Sequence, residues 1–259
     1  MIAMMLLAGY ATRLYPLTID TPKPLLPVAG RAMLDYIADE IDTLPDLSGI
    51  CLVTNHRFAS HFEKWAAERR KNYPGVAIRI IDDQTSDDQS KRGAIGDIAY
   101  AMDVCGIDDD LLILAGDNLF TYRLKDMYDC FMKIRKDLLI AITVNDKHQL
   151  QKLAVATLDA NGKVLKMAEK PQEPETNTAI YATYFYRRDT LPLIKTYLEE
   201  GNTPDAPGNF PSWLFKRKEI YAFRADGYCI DIGTPENYAE VCANFDKLWS
   251  SRKLLPGEM

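Results

Sequence analysis

Met1-Ile2-Ala3-Met4-Met5-Leu6-Leu7-Ala8 runs without a charge into Gly9-Tyr10-Ala11-Thr12-Arg13, and the loop beyond carries Thr21-Pro22-Lys23-Pro24-Leu25-Leu26-Pro27-Val28. An apolar run of this kind, closed by a small-residue turn, is the pattern of a covered strand and its exit loop. The turn lets backbone N–H groups approach anionic oxygens, and Arg13 and Lys23 supply two cations. Prolines on both sides of Lys23 stiffen the segment that presents it. The stretch therefore predicts a phosphate-binding loop. Its plainer reading is a strand-to-helix connection whose two cations are solvated.

Outward from this stretch, apolar runs alternate with helical periodicity. Strands are predicted at 2–7, 50–54, 77–81, 111–115 and 138–144, with helices at 33–44, 57–72, 93–105 and 124–134. Leu34, Ile37, Ala38 and Ile41 fall on one helix face. Continuous apolar strands separated by helices imply an α/β fold, a doubly wound and mostly parallel sheet of Rossmann-like type, with ligands at the carboxyl ends of its strands. After residue 150 the pattern changes. Runs at 153–158 and 164–167 flank Asp159-Ala160-Asn161-Gly162, a hairpin signal. A third β-like run covers 179–186, and helices are predicted at 191–199 and 235–249. The stretch 201–211, rich in Gly, Pro and Asn, reads as an exposed loop and a candidate mobile flap. The expected organisation is one unit, 1–259, with a nucleotide half at 1–150 and a smaller, β-rich accessory half at 151–259.

The chain of 259 residues is 47% hydrophobic and 26% charged, as expected of a globular protein with a substantial core. Its net charge of −6, with no basic stripe, argues against nucleic acid as a partner. The opening apolar run is too short to span a bilayer and lacks the marks of a signal peptide, so the expectation is a cytoplasmic protein with no membrane contact. Cys51, Cys105, Cys130, Cys229 and Cys242 include no C-x-x-C pair, which suggests reduced thiols and gives no zinc signature. His56, His61 and His148 are scattered, and surface or core roles are expected for them. Asp108-Asp109-Asp110 reads as a solvated turn before a strand.

Several polar residues fall where chemistry is expected. Asp117 follows the run 111–115 through Gly116, at the carboxyl end of a predicted central strand, where a carboxylate could hold Mg²⁺ against a phosphate or simply close a turn. Asp231 precedes Thr234 and Pro235, a helix cap and first residue, among apolar neighbours. A buried carboxylate there needs a partner, either a metal ion or hydrogen-bond donors. Glu169 and Lys170 end the second hairpin strand, where alternation sends neighbours to opposite faces and keeps them from simply pairing. Gln84 offers an amide suited to a pyrimidine edge, and Gly93 opens a helix where backbone could approach a flat base.

These residues form an ordered pattern. Leu7-Ala8-Gly9-x-x-Thr12-Arg13-Leu14-x-Pro16-Leu17-Thr18 and Pro22-Lys23-Pro24-Leu25-Leu26-Pro27-Val28, followed by Gly93-Ala94-Ile95-Gly96, Ala115-Gly116-Asp117-Asn118, Glu169-Lys170-Pro171 and the block 227–236, resemble the sugar-phosphate nucleotidylyltransferases. The hexose-1-phosphate thymidylyl- and uridylyltransferases are members. The resemblance implies an enzyme in which Ala8, Gly9 and Thr12 hold the nucleotide and Arg13 meets the departing pyrophosphate. Lys23 would contact the α-phosphate and the incoming sugar phosphate. Gln84 and Gly93 would face the base, Asp117 and Asp231 would hold Mg²⁺, and Glu169 and Lys170 would contact the sugar phosphate. The implied partners are an NTP, expected to be a pyrimidine (UTP, dTTP or CTP), and a sugar 1-phosphate, with a homo-oligomer compatible. From the length, the left-handed β-helix that bifunctional acetyltransferase relatives append is not expected here.

Three departures stand out. Ala11 replaces the usual loop glycine, with Tyr10 beside it, and a methyl group at a positive-φ position costs about 1 kcal/mol or more. Cys229 stands where an aromatic residue often precedes the metal aspartate, which is expected to reshape the sugar pocket. The segment 85–92 is polar and charged where many members are rich in Pro and Gly. Two other readings stay open: a cytidylyltransferase for phosphocholine or a similar acceptor, using Tyr181, Tyr184 or Tyr186, and a non-catalytic nucleotide-sugar sensor. A P-loop kinase is excluded, because no G-x-x-x-x-G-K-[ST] occurs.

Overall fold

Alternate residues of the first strand, β1 (Ile2–Leu6), divide the interior in two. Ala3 and Met5 join one apolar core and Met4 another, on opposite faces of the central sheet. The computed structural model describes residues 1–250. After β1 come β2 (Pro27–Val28), β3 (Arg31–Ala32), α1 (Met33–Asp42), β4 (Gly49–Thr54), α2 (Ala59–Asn72), β5 (Ile78–Asp82) and α3 (Ala94–Cys105). They are followed by β6 (Leu111–Ala115), β7 (Asn118–Phe120), α4 (Leu124–Ile134), β8 (Asp137–Thr143) and α5 (Lys147–Leu150). The remainder is β9 (Ala154–Leu158), β10 (Val164–Glu169), β11 (Thr178–Tyr186), α6 (Leu191–Glu199), α7 (Asn209–Leu214), β12 (Ile220–Arg224), β13 (Cys229–Asp231) and α8 (Pro235–Ser250).

The nine-stranded sheet runs β10-β9-β11-β6-β1-β4-β5, with β8 on the other side of β11 and β12 beyond β8. Strands β5, β4, β1 and β6 are mutually parallel. The long β11 is antiparallel to β6, β8 and β9, so a mixed extension continues the Rossmann-like core. One face is covered by α1, α2 and α4 through Leu34, Ile37, Phe62, Met127 and Phe131. The other is covered by α3, α6 and α7 through Ile95, Ile98, Ile194, Phe210 and Trp213. This is the predicted α/β architecture, and the predicted strand and helix positions match within a few residues. The helix expected from residue 57 starts at Ala59, because Asn55 Oδ1 accepts the Phe58 amide at 3.1 Å and closes a tight turn first.

Two expectations are corrected. Residues 201–211 are exposed only in part, at Gly201, Thr203 and Asp205, and the segment is docked on its neighbours. Asn202 donates to Tyr197 O at 2.8 Å, Pro204 O and Asp205 O accept the Ile95 and Ala94 amides at 2.9 and 3.2 Å, and Phe210 and Pro211 are buried in α7. Composition marked the turn residues but gave no view of what they would dock against. Asp108, Asp109 and Asp110 are likewise more than a solvated turn. Asp109 pairs with the N-terminal ammonium at 2.7 Å, Asp108 with Arg188, and Asp110 with the Arg187 side chain and the Arg188 amide.

One carboxylate anchors the extension. Asp137, fully buried at the start of β8, accepts the Arg187 amide at 2.7 Å, the Thr190 hydroxyl at 2.7 and 2.9 Å, and the Lys218 ammonium at 3.1 Å. Asp137→Ala strands those donors and is expected to cost about 3 kcal/mol or more, measured as a lower denaturant midpoint at unchanged slope.

Candidate active site

The loop after β1 is tied down before it carries any charge. Leu7 N donates to Val53 O at 2.8 Å, and Asn55 Nδ2 donates to Ala8 O at 2.9 Å. Ala11 then adopts φ +47° and ψ +40°, the left-handed conformation expected of the replaced glycine. Its carbonyl accepts the Leu14 amide at 2.9 Å and the Thr18 hydroxyl at 2.8 Å, which hold the turn despite its methyl group. Beneath the loop, Leu14 and Leu26 pack with Leu119, Ile232 and the α8 residues Val241 and Phe245.

Lys23 reaches across the sheet end. It is 6% exposed, and its ammonium donates to Asp117 Oδ2 at 3.0 Å and to Asp231 Oδ1 at 2.8 Å. Asp117 follows β6 through Gly116, which is packed so tightly that a Cβ would come 1.8 Å from Leu7 Cδ2. Asp231 arrives by the two-stranded ribbon β7–β13, whose register sets it opposite Asn118 and so beside Asp117. Burial opposes the charge on Lys23, but the two carboxylates outweigh it and raise its pKa. Arg13 lies against Gly233, where a Cβ would stand 3.4 Å from Nη2.

Two cavities meet at Asp117. The first, about 480 Å³, is lined by Ala8, Gly9, Thr12, Arg13, Lys23, Gly93 and Asp117 among others. The second, about 350 Å³, is lined by Asp117, Glu169, Lys170, Tyr181, Tyr184 and Asp231. Ala115, Asp117, Asp205 and Pro207 line both. A larger cleft of about 820 Å³ lies at the far end of the sheet, but most of its charges are committed to pairs such as Arg188 with Asp108 and Lys195 with Asp103.

A nucleotidyl transferase family model matches residues 2–247. The chain belongs to the nucleotidyl transferase family. It is 26% identical over 240 residues to the bifunctional protein GlmU of Methanocaldococcus jannaschii, a match covering 92% of this chain and 53% of that one. It is also 26% identical over 269 residues to the glucose-1-phosphate adenylyltransferase of Geobacillus stearothermophilus, covering 98% and 67%. The chain thus spans about half to two thirds of the length of these relatives. Among solved structures, a UDP-glucose pyrophosphorylase complexed with UDP-glucose superposes with a TM-score of 0.77 at 19% identity, covering 95% of this chain and 98% of that one. A UTP-bound UGPase from Acinetobacter baumannii gives 0.74 at 17%, covering 96% of each. These two likenesses show a shared fold.

Against that family pattern, several residues sit differently from expectation. Gln84 does not line the first cavity. Its backbone is left-handed at φ +66°, and its side-chain amide turns back towards Asp82 O at 3.4 Å, while its neighbour Asp83 is the one buried. Gly93 lines the cavity, yet its missing side chain answers to a different neighbour: a Cβ would come 2.7 Å from Pro204 O. Cys229 packs into the core rather than the second cavity, and burial pushes its thiol well above the usual range. Glu169 and Lys170 do approach, at 4.0 Å, because the strand ends at Glu169 and Lys170 turns left-handed at φ +47°. Of the three tyrosines, Tyr181 and Tyr184 line the second cavity, while Tyr186 packs against Phe210. Among the described residues no group of three or more His, Cys, Asp or Glu side chains is arranged to hold a metal ion.

Sequence reasoning missed Tyr10, Lys91, Asp97, Asp205 and Gly233 as cavity-lining residues. Asp97 left a signal, a lone carboxylate in the apolar run Ala94-Ile95-Gly96-Asp97-Ile98-Ala99. Ala11→Gly relieves the left-handed strain and is expected to raise unfolding stability by about 0.5–1 kcal/mol, seen as a higher denaturant midpoint. A lower midpoint would mean that the Ala11 methyl contributes more through packing than it costs in strain.

Proposed function

We propose that this chain transfers a nucleotidyl group from an NTP to a sugar 1-phosphate, forming an NDP-sugar and pyrophosphate. The observation that carries this reading is the pair of cavities joined at Asp117, one bearing Arg13 and Lys23 and the other Glu169 and Lys170. Family membership and the kinship to glucose-1-phosphate adenylyltransferases support it. In this reading residues 1–150 supply most of the nucleotide site and the later residues most of the acceptor site.

A phosphate oxygen of the acceptor attacks the α-phosphorus in line, and the bond from that phosphorus to the bridging oxygen of the β-phosphate breaks. The attacking oxygen is already anionic near neutral pH, so no general base is needed. The obstacle is bringing two anions together, and Lys23, at the end shared by both cavities, neutralises charge where they meet. Arg13 takes the leaving pyrophosphate. Gly9 and Thr12 line the path of the triphosphate. Glu169 is held by burial above the usual carboxylate range, partly opposed by Lys170, and suits a sugar hydroxyl.

The carboxylates of Asp117 and Asp231 fit Mg²⁺. Both are about half exposed (47% and 48%), with Lys23 hydrogen-bonded to one oxygen of each. Two carboxylates leave room for the water and phosphate ligands that Mg²⁺ prefers. Asp117 and Asp231 would hold the ion, which supplies charge neutralisation at the phosphates when bound.

A pyrophosphate-release assay with Mg²⁺ tests the reading, crossing UTP, dTTP, CTP, ATP and GTP with sugar 1-phosphates and phosphocholine. Purine nucleotides belong in that matrix because Gln84, on which the expectation of a pyrimidine rested, lies outside the cavity lining. Tyr181 and Tyr184 in the acceptor cavity are the reason for including phosphocholine. Lys23→Met and Asp117→Asn are each expected to lower turnover by about 10²–10³. Unchanged turnover in Asp117→Asn removes its metal role, and nucleotide binding without release from any pair favours the sensor.

A further inference from the structure

Asp97 in the lining of the nucleotide cavity, and Asp83 behind it, are buried carboxyls that the transfer chemistry does not use. Asp97, in the first turn of α3, lines the cavity and is 6% exposed; Asp83, just past β5, is 1% exposed. The two lie close enough for the charge of Asp83 to act on Asp97. Asp83 Oδ1 accepts the Thr85 amide at 2.7 Å. Asp83 Oδ2 and Asp97 Oδ1 are buried, and among the described residues no N–H or hydroxyl donor reaches either.

Two buried carboxylates in contact repel, and one proton between them turns the repulsion into a hydrogen bond. Burial first, and then the charge of Asp83, pushes Asp97 up to about 8, with Arg92 opposing. Asp83 is raised as well, chiefly by burial. The charged and titratable groups around the pair are Asp82, itself bonded to His56, then Arg92, whose Nε donates to Asp83 O at 2.7 Å, and Tyr10, bonded to Thr85 at 3.3 Å. Asp88, Lys91 and Asp205 line the same cavity. None of these donates a hydrogen bond to the two orphaned oxygens.

The topology assigns this end of the cavity to the base. Lys23 and Asp117 sit past β6, and the sheet runs from there through β1 and β4 to β5, so a nucleotide with its phosphates over β1 and β6 extends its base towards β5 and the start of α3.

We propose that Asp83 and Asp97, joined by one shared proton, form the base-recognition element of this cavity, with Asp97 accepting a hydrogen bond from an N–H on the edge of the base. The inference rests on the nucleotidyl-transfer reading. Loss of the shared proton sets two like charges against each other and adds negative charge beside the nucleotide. Affinity for the nucleotide therefore holds while the pair is protonated and falls as pH rises through its ionisation. Asn at position 97 offers an N–H to Asp83 and a carbonyl to the base, with no proton to lose.

The test is equilibrium binding of the five NTPs and of inorganic triphosphate to wild type, D97N and D97A. Between about pH 7 and about pH 9 the preferred NTP should weaken about fivefold or more for wild type and stay within about twofold for D97N. D97A should lose about tenfold of the preference for that base while binding inorganic triphosphate within about twofold of wild type. A D97N profile parallel to wild type overturns the shared proton. Equal losses for every base and for inorganic triphosphate in folded D97A make Asp97 merely structural and overturn base recognition. Wild type that binds nucleotide with no pH dependence removes this inference alone; wild type that binds no nucleotide removes the transfer reading with it.

Discussion

A buried lysine ammonium holds the candidate site together. Lys23 comes from the loop after the first strand, Asp117 from the turn after β6, and Asp231 from the ribbon that precedes the last helix. A charged amine out of water must be paired, and here each half of its pairing lies on a segment remote in sequence. The apolar side of the same assembly does parallel work. Leu14 and Leu26 of the loop share a core with Leu119 beside Asp117, Ile232 beside Asp231, and the α8 residues Val241 and Phe245. Charge and packing thus close the same junction from two sides.

A second constraint joins the cavities. The loop between α6 and α7 lies along both, and two glycine contacts set its position. Pro204 O comes too close to Gly93 for any side chain there, and a Cβ on Gly208 would fall 1.9 Å from Glu169 Oε2. One connection therefore touches the start of α3 at the first cavity and the carboxylate at the end of β10 at the second. Its Asp205 and Pro207 line both cavities, which therefore share a wall.

The cavity edges also collect unusual backbone. Ala11 and Lys170 hold positive φ in the cavity lining, and Gln84 does so at the turn beside Asp83. Each redirects the chain at the end of a strand or beside the phosphate loop, where a regular conformation would carry the side chains elsewhere. At Lys170 this is why alternation failed as a guide. The left-handed Lys170 ends the alternation of faces at the strand end and comes back towards Glu169.

The sequence alone determined the parallel core and the identity of the charged groups at its carboxyl ends. Those follow from local chemistry: uninterrupted apolar runs make covered strands, and the small-residue turn and proline-flanked lysine mark the loop beyond. The resemblance extended that reading to Asp231, Glu169 and Lys170 because it rests on short contiguous motifs. Tertiary structure decided the rest. Asp205 has no motif around it, and Asp97 and Gly233 lie beside or within motif blocks that give them no role; they enter the first cavity because a helix start, a docked loop and a ribbon converge there. The burial that makes the Asp83–Asp97 pair share a proton is likewise a property of the packed molecule, since in an extended chain two aspartates fourteen residues apart would each ionise in water.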